Sequence, residues 1–137
     1  AASTARLLKL MFKRLIRKDD CIPKIFLDSD DLVQLPKLLQ QVISCETLTV
    51  ILTRSIFSRP WIMCELCTAF RHKVPILCIG IEGEDIGIDP SQPIEPQMTG
   101  WLTQECMNIV CMNGFDRATV LSAIKRTLNA PRLPFKP

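Results

Sequence analysis

Two apolar runs, "TLTVILT" (47–53) and "VPILCIGI" (74–81), constrain this chain more than any other feature. Both are rich in β-branched residues and nearly uninterrupted by polar ones, the pattern of strands buried on both faces. The segment between them has the length of a helix. It opens at Pro60, a residue suited to the first helical position, with Ser58 or Arg59 as cap. A strand, a helix and a second strand in that order form a parallel crossover rather than a hairpin.

The rest of the chain extends this alternation. Residues 4–18 follow a helical pattern, and "KIFLD" (24–28) reads as a short strand leading into the polar segment "SDDLVQ". In "LPKLLQQVISC" (35–45), Leu35, Leu38, Leu39, Val42 and Ile43 recur at helical spacing. Residues 82–97, with Gly83, Gly87, Pro90, Pro93 and Pro96, form a long connection. "MNIVCM" (107–112) reads as a further strand, and Asp116 caps a last helix running to about Leu128. The tail "APRLPFKP" is too rich in proline to be helical. The expected architecture is α/β: one domain over residues 1–137, a parallel sheet with helices on both faces, and a proline-rich tail at 128–137. Val50, Leu52, Ile76, Leu77, Ile79, Ile109 and Val110 are expected to be buried in strands, with Leu66, Phe70, Leu121 and Ile124 packed on the sheet faces.

Composition narrows the function classes. A chain of 137 residues with 47% hydrophobic and 23% charged residues has the makings of a folded core. Its net charge of +3 gives no argument for nucleic acid. The basic residues gather in 4–18, on an amphipathic helix whose cationic face is solvated; the same run has some likeness to a mitochondrial transit segment. No apolar run reaches the roughly eighteen residues of a membrane span. Seven cysteines, an odd number and mostly in apolar runs, point to a reduced cytoplasmic compartment rather than a disulfide framework. Cys64 and Cys67 make one C-x-x-C, but there is no second such pair and His72 is the chain's single histidine, so a structural zinc set is not expected. Small buried thiols are.

In open parallel sheets, ligands gather at the carboxyl ends of the strands. The residues expected there are Asp28 to Asp31, then Thr53, Arg54 and Ser55, then Glu82 and Gly83, then Asn113 and Gly114. A helix that follows a strand starts at the same edge, which brings in Glu65. On that helix Trp61, Thr68 and His72 share its side, at offsets of four back and three and seven forward. A carboxylate near a helix N-terminus also gains from the helix dipole without any function. A phospho-receiver, built on the same alternation, needs an Asp ending the middle strand and a Lys ending the last; "VILTRS" and "VCMNGF" supply neither.

"KIFLDSDDL", the following helix, "TLTVILTRSIFSRPWIMCELCTAF" and "VPILCIGI" together resemble the TIR (Toll/interleukin receptor) domain family. The likeness covers residues 5–128 and centres on Trp61, Glu65 and Leu66, spaced as in the family's S-x-W-C-x-x-E-L segment, with Ile62 where cysteine is often found and Ser58 one residue further ahead of the tryptophan. It implies a flavodoxin-like five-stranded sheet and function by self-association, with itself or with other TIR-like domains. In a subset of the family it implies cleavage of nicotinamide from NAD⁺, a substrate rather than a resident cofactor. Glu65 matches the essential glutamate of those enzymes; Arg54, Ser55, Trp61 and Asp28 are the candidates for meeting the nucleotide. Other members carry the same glutamate and signal by assembly alone, so a silent scaffold or a subunit of a larger complex is the alternative. The family opens with a strand and loop ahead of its first helix, whereas this chain opens at "AASTARLLKL", within that helix. The expectation is therefore that the first strand is missing from this chain. A strand from upstream sequence, a partner or a swapped copy would then lie between "KIFLD" and "TLTVILT", or those two would pair directly. The segment 29–34, matching the family's BB loop, is short and lacks the usual glycine.

Overall fold

The computed structural model describes residues 35–54, 56–84 and 86–136. The expected helix at 4–18, strand at 24–28 and loop at 29–34 lie outside them, as does the question of a strand beside "KIFLD".

The crossover read from the sequence is present. Strand β1 (Leu48–Leu52) and strand β2 (Ile76–Ile81) pair in parallel, Leu48 opposite Ile76 and Leu52 opposite Gly80. Helix α1 (Leu35–Ser44) precedes β1, and helix α2 (Pro60–Arg71) joins the two strands after a short 3-10 turn at Ile56–Ser58. Arg59 holds the extended backbone of a cap residue without a side-chain cap bond, and Pro60 then opens the helix, where a missing N–H costs nothing. Val50 and Leu52 of β1 are buried while Thr49 is exposed, so β1 alternates instead of being covered on both faces. β2, with Ile76, Cys78 and Ile79 buried, is the more fully enclosed strand.

α2 ends by a specific device. The N–H of Val74 reaches back to the Ala69 carbonyl at 2.9 Å and that of Lys73 to Phe70 at 3.4 Å, a Schellman closure. Its left-handed position is held by Lys73 at φ 56° rather than by glycine. Arg126 braces the same turn, donating from Nη1 to the Ala69 carbonyl at 3.1 Å and from Nη2 to the Val74 carbonyl at 2.7 Å.

Two elements differ from the sequence reading. "MNIVCM" is not a strand: it lies in helix α4 (Gln104–Met112), which follows the one-turn helix α3 (Ile94–Gln97). The Thr103 hydroxyl accepts the Cys106 N–H as an N-cap, and Cys106, Met107 and Val110 form a buried stripe at helical spacing. Gly114, at φ 89°, closes α4 by a second Schellman motif, with Phe115 N–H to Val110 and Gly114 N–H to Cys111. A continuous apolar run is compatible with either element; the cap and the terminating glycine decide for helix. The strand that takes its place comes from the tail. After helix α5 (Arg117–Leu128), capped by Asp116 as expected, Arg132–Phe135 forms β3, parallel to β2, in the order β1-β2-β3. The carbonyls of Pro131 and Phe135 accept the N–H groups of Cys78 in β2 and of Glu82 just after it, which turns Pro134 outward. A proline there offers no free N–H along an edge strand, so it fits the sheet and blunts its edge.

α2 is the axis of the core. It packs against α1, α4 and α5 and buries every residue from Met63 to Ala69. Leu66, Ile124 and Val110 are buried as expected, although Val110 is in a helix; Leu77, Ile109 and Leu121 are half-buried. Phe70 is 37% exposed instead of packed on the sheet, because the neighbouring helices enclose α2 only as far as Ala69. Among the described residues no helix is long and apolar enough to cross a membrane.

Candidate functional site

Glu65 sits in the second turn of α2, the helix that leaves the carboxyl end of β1. It is 8% exposed, with its Oε1 fully buried. One turn earlier Trp61 is 48% exposed, so its indole is not a core residue and one side of it faces solvent. One turn later Thr68 is buried, its hydroxyl donating to the Cys64 carbonyl at 2.8 Å. The stripe Trp61, Glu65, Thr68, His72 is therefore open at both ends and closed in the middle. This distribution could not be read from spacing: it follows from the helices that surround α2.

Arg54 lies in the turn beyond β1 with its side chain in solvent. Its backbone N–H is taken by the Glu84 carboxylate, Oε2 at 3.0 Å. Glu84, which the sequence reading did not single out, thus ties the loop after β2 to the loop after β1, and it places a negative charge beside Arg54. Asp28 and Ser55 lie outside the described residues. Of the five predicted positions, then, Trp61 and Glu65 share one helix stripe and Arg54 stands on the neighbouring loop. Asn113 and Gly114 are not at this edge. They end α4, where the Gly114 carbonyl accepts from Arg71 at 3.1 Å, beside the C-terminal end of α2. Thr103 and Gly114 are the sequence signals that accord with this placement, although the apolar run between them fits a strand as well.

The C-x-x-C is part of the core. Cys64 and Cys67 are fully buried, and the six cysteines among the described residues are all free thiols. Burial pushes the Cys64 thiol up to about 11 and that of Cys67 up to about 12, helped in each case by neighbouring thiols. At neutral pH both are protonated, which suits neither a nucleophile nor a metal ligand. Among the described residues no group of three or more His, Cys, Asp or Glu is placed to hold a metal ion.

In chemical terms, the arrangement offers one enclosed carboxylate, a half-open aromatic face beside it, and a cation on the adjoining loop. The chain matches no family model, no curated protein and no solved structure.

Proposed function

We propose that this chain is a TIR-type module that acts by self-association, and that Glu65 serves the cleavage of nicotinamide from NAD⁺. The observation that carries this reading is the burial of a carboxylate inside the helix that leaves the carboxyl end of a parallel strand, where such sheets take their ligands. Enclosing a carboxylate costs free energy, and sites of chemistry are where such costs are retained. The reading extends the three described strands to one side of a five-stranded flavodoxin-like sheet covered by helices on both faces. The free thiols accord with a reducing, cytoplasmic setting.

The chemistry asks little of the protein. As the bond from ribose to the nicotinamide nitrogen breaks, its electron pair leaves with neutral nicotinamide, and positive charge develops on the sugar. A carboxylate close to that sugar stabilises the developing oxocarbenium ion. Water then adds to the sugar carbon and releases a proton, giving ADP-ribose. Trp61 provides a flat apolar surface for a ring of the dinucleotide, and the guanidinium of Arg54 provides charge for its pyrophosphate.

The test is nicotinamide release by the wild-type chain and by Glu65→Gln, at concentrations where light scattering reports assembly. Loss of the charge is expected to lower the rate about a hundredfold or more while the melting curve changes little. Release that survives the substitution removes Glu65 from the mechanism. Assembly without release by the wild type moves the reading to a silent scaffold.

A further inference from the structure

A cleft lies toward the C-terminal end of α2; it shares Thr68 and His72 with the stripe that carries Glu65, while Glu65 and Arg54 are not among its lining residues. It is an open groove of about 250 Å³ between α1 and the last turn of α2. Its walls are apolar: Leu39 and Ile43 on the α1 side, and Phe115 from the turn between α4 and α5. Its polar groups are Arg71 and His72, with Thr68 and Gln40 also lining it.

Arg71 is held in place before any ligand arrives. Its guanidinium carbon lies 4.6 Å from the centre of the Phe115 ring, and Nη2 donates to the Gly114 carbonyl at 3.1 Å. Stacking fixes the plane and the hydrogen bond fixes its rotation, leaving its other donors for a partner. Among the described residues no carboxylate lines the cleft. The acid whose charge couples to Arg71 is Asp116, and its Oδ1 is engaged by the backbone N–H and hydroxyl of Thr119 at 2.8 and 2.7 Å.

We infer that this cleft binds a small organic monoanion, a carboxylate carried on an apolar body. The apolar part lies against Leu39, Ile43 and Phe115, and the carboxylate meets the preset fork of Arg71 with His72 beside it. Few, well-placed polar groups in an apolar concavity are the usual make-up of a small-ligand site. A planar guanidinium matches a carboxylate by paired hydrogen bonds. A dianionic phosphate is disfavoured because the carbonyl end of α2 carries partial negative charge at this place. The volume equals that of about eight water molecules, which suits a chain of about six carbons with its acid group.

The probe is sodium hexanoate, titrated into the full chain and followed by proton NMR at fixed pH. His72 is the chain's single histidine, so its ring resonance is an unambiguous reporter. A saturable shift is expected with a Kd on the order of 1 mM, the range for so small a ligand. Acetate, which has the charge without the body, and hexan-1-ol, which has the body without the charge, should each bind about tenfold more weakly or worse. Arg71→Gln should weaken hexanoate about tenfold and leave hexanol unchanged. Ile43→Asp, at a position 37% exposed where folding tolerates a charge, should abolish the shift; it keeps the test decisive if Arg71→Gln does not fold. Glu65→Gln should bind hexanoate as the wild type does, which separates this site from the proposed activity. A linear, unsaturable response to hexanoate overturns the inference, as does acetate or hexanol binding equally well, or unchanged binding by Ile43→Asp.

Discussion

Replacing Arg126 with methionine should destabilise the protein far more than a half-buried surface position suggests. The side chain joins three elements: it rises from α5 and donates to Ala69 at the end of α2 and to Val74 at the approach to β2. Methionine keeps most of the apolar stem and removes only the donors. A hydrogen bond from a charged group contributes about 1.5–3 kcal/mol. The bond to Ala69, at 3.1 Å, belongs at the low end, because that carbonyl also accepts the Val74 N–H and stays satisfied. The bond to Val74, at 2.7 Å, is short, belongs to a buried residue, and counts more fully. Allowing for partial exposure, the sum is about 2–4 kcal/mol, a large share of the 5–15 typical of a domain. At about 3–5 °C per kcal/mol for a chain of this length, Tm should fall by about 10 °C. Arg126→Lys, a single point of charge, reaches one carbonyl at a time and should recover about half of the loss. Thermal unfolding followed by circular dichroism measures both. A methionine variant melting within about 2 °C of wild type would refute the bracing role, because losing two charge-assisted bonds cannot cost so little.

Other consequences follow from the same region and from the core. Lys73→Gly should raise stability by up to about 1 kcal/mol, since a side chain at φ 56° carries a strain that glycine does not; urea denaturation would show it as a higher midpoint. The buried thiols make the fold sensitive to alkali. Their folded values are raised, to about 11 for Cys64 and about 12 for Cys67, above the ordinary 9.0. The stabilisation they give is complete below pH 9 and is lost as the pH rises through 11 to 12, because the unfolded thiols ionise first. Denaturation midpoints should therefore decline above pH 9, and decline less steeply in a Cys64→Ala, Cys67→Ala variant. In the native protein at pH 8, alkylation should reach the exposed Cys111 and spare this pair, as mass spectrometry of the labelled peptides would report.

Local sequence was sufficient wherever a strong periodic signal met a clear stop. β1 and β2 were legible because β-branched apolar runs of that length, separated by a proline-opened helical segment, have few other uses. α2 and α5 were legible through Pro60 and Asp116. The stripe that carries Trp61 and Glu65 followed from helical spacing alone. Local sequence was insufficient where one pattern serves two elements. "MNIVCM" is as apolar as a strand, and its helical state rests on the Thr103 cap and on the turn at Gly114 that Arg71 holds from another helix. "RLPF" looks like a proline-broken tail, and it becomes a strand because β2 pairs with its odd-numbered carbonyls and leaves Pro134 facing outward. The same limit governs the site. Spacing assigns Glu65 a face of α2, but its burial depends on α1, α4 and α5 closing around that helix, while Phe70 and His72, beyond the covered stretch, remain exposed. The cleft at Arg71 has no local signature at all. Its walls come from α1, α2 and the α4–α5 turn, segments distant in sequence that only the packed fold brings together.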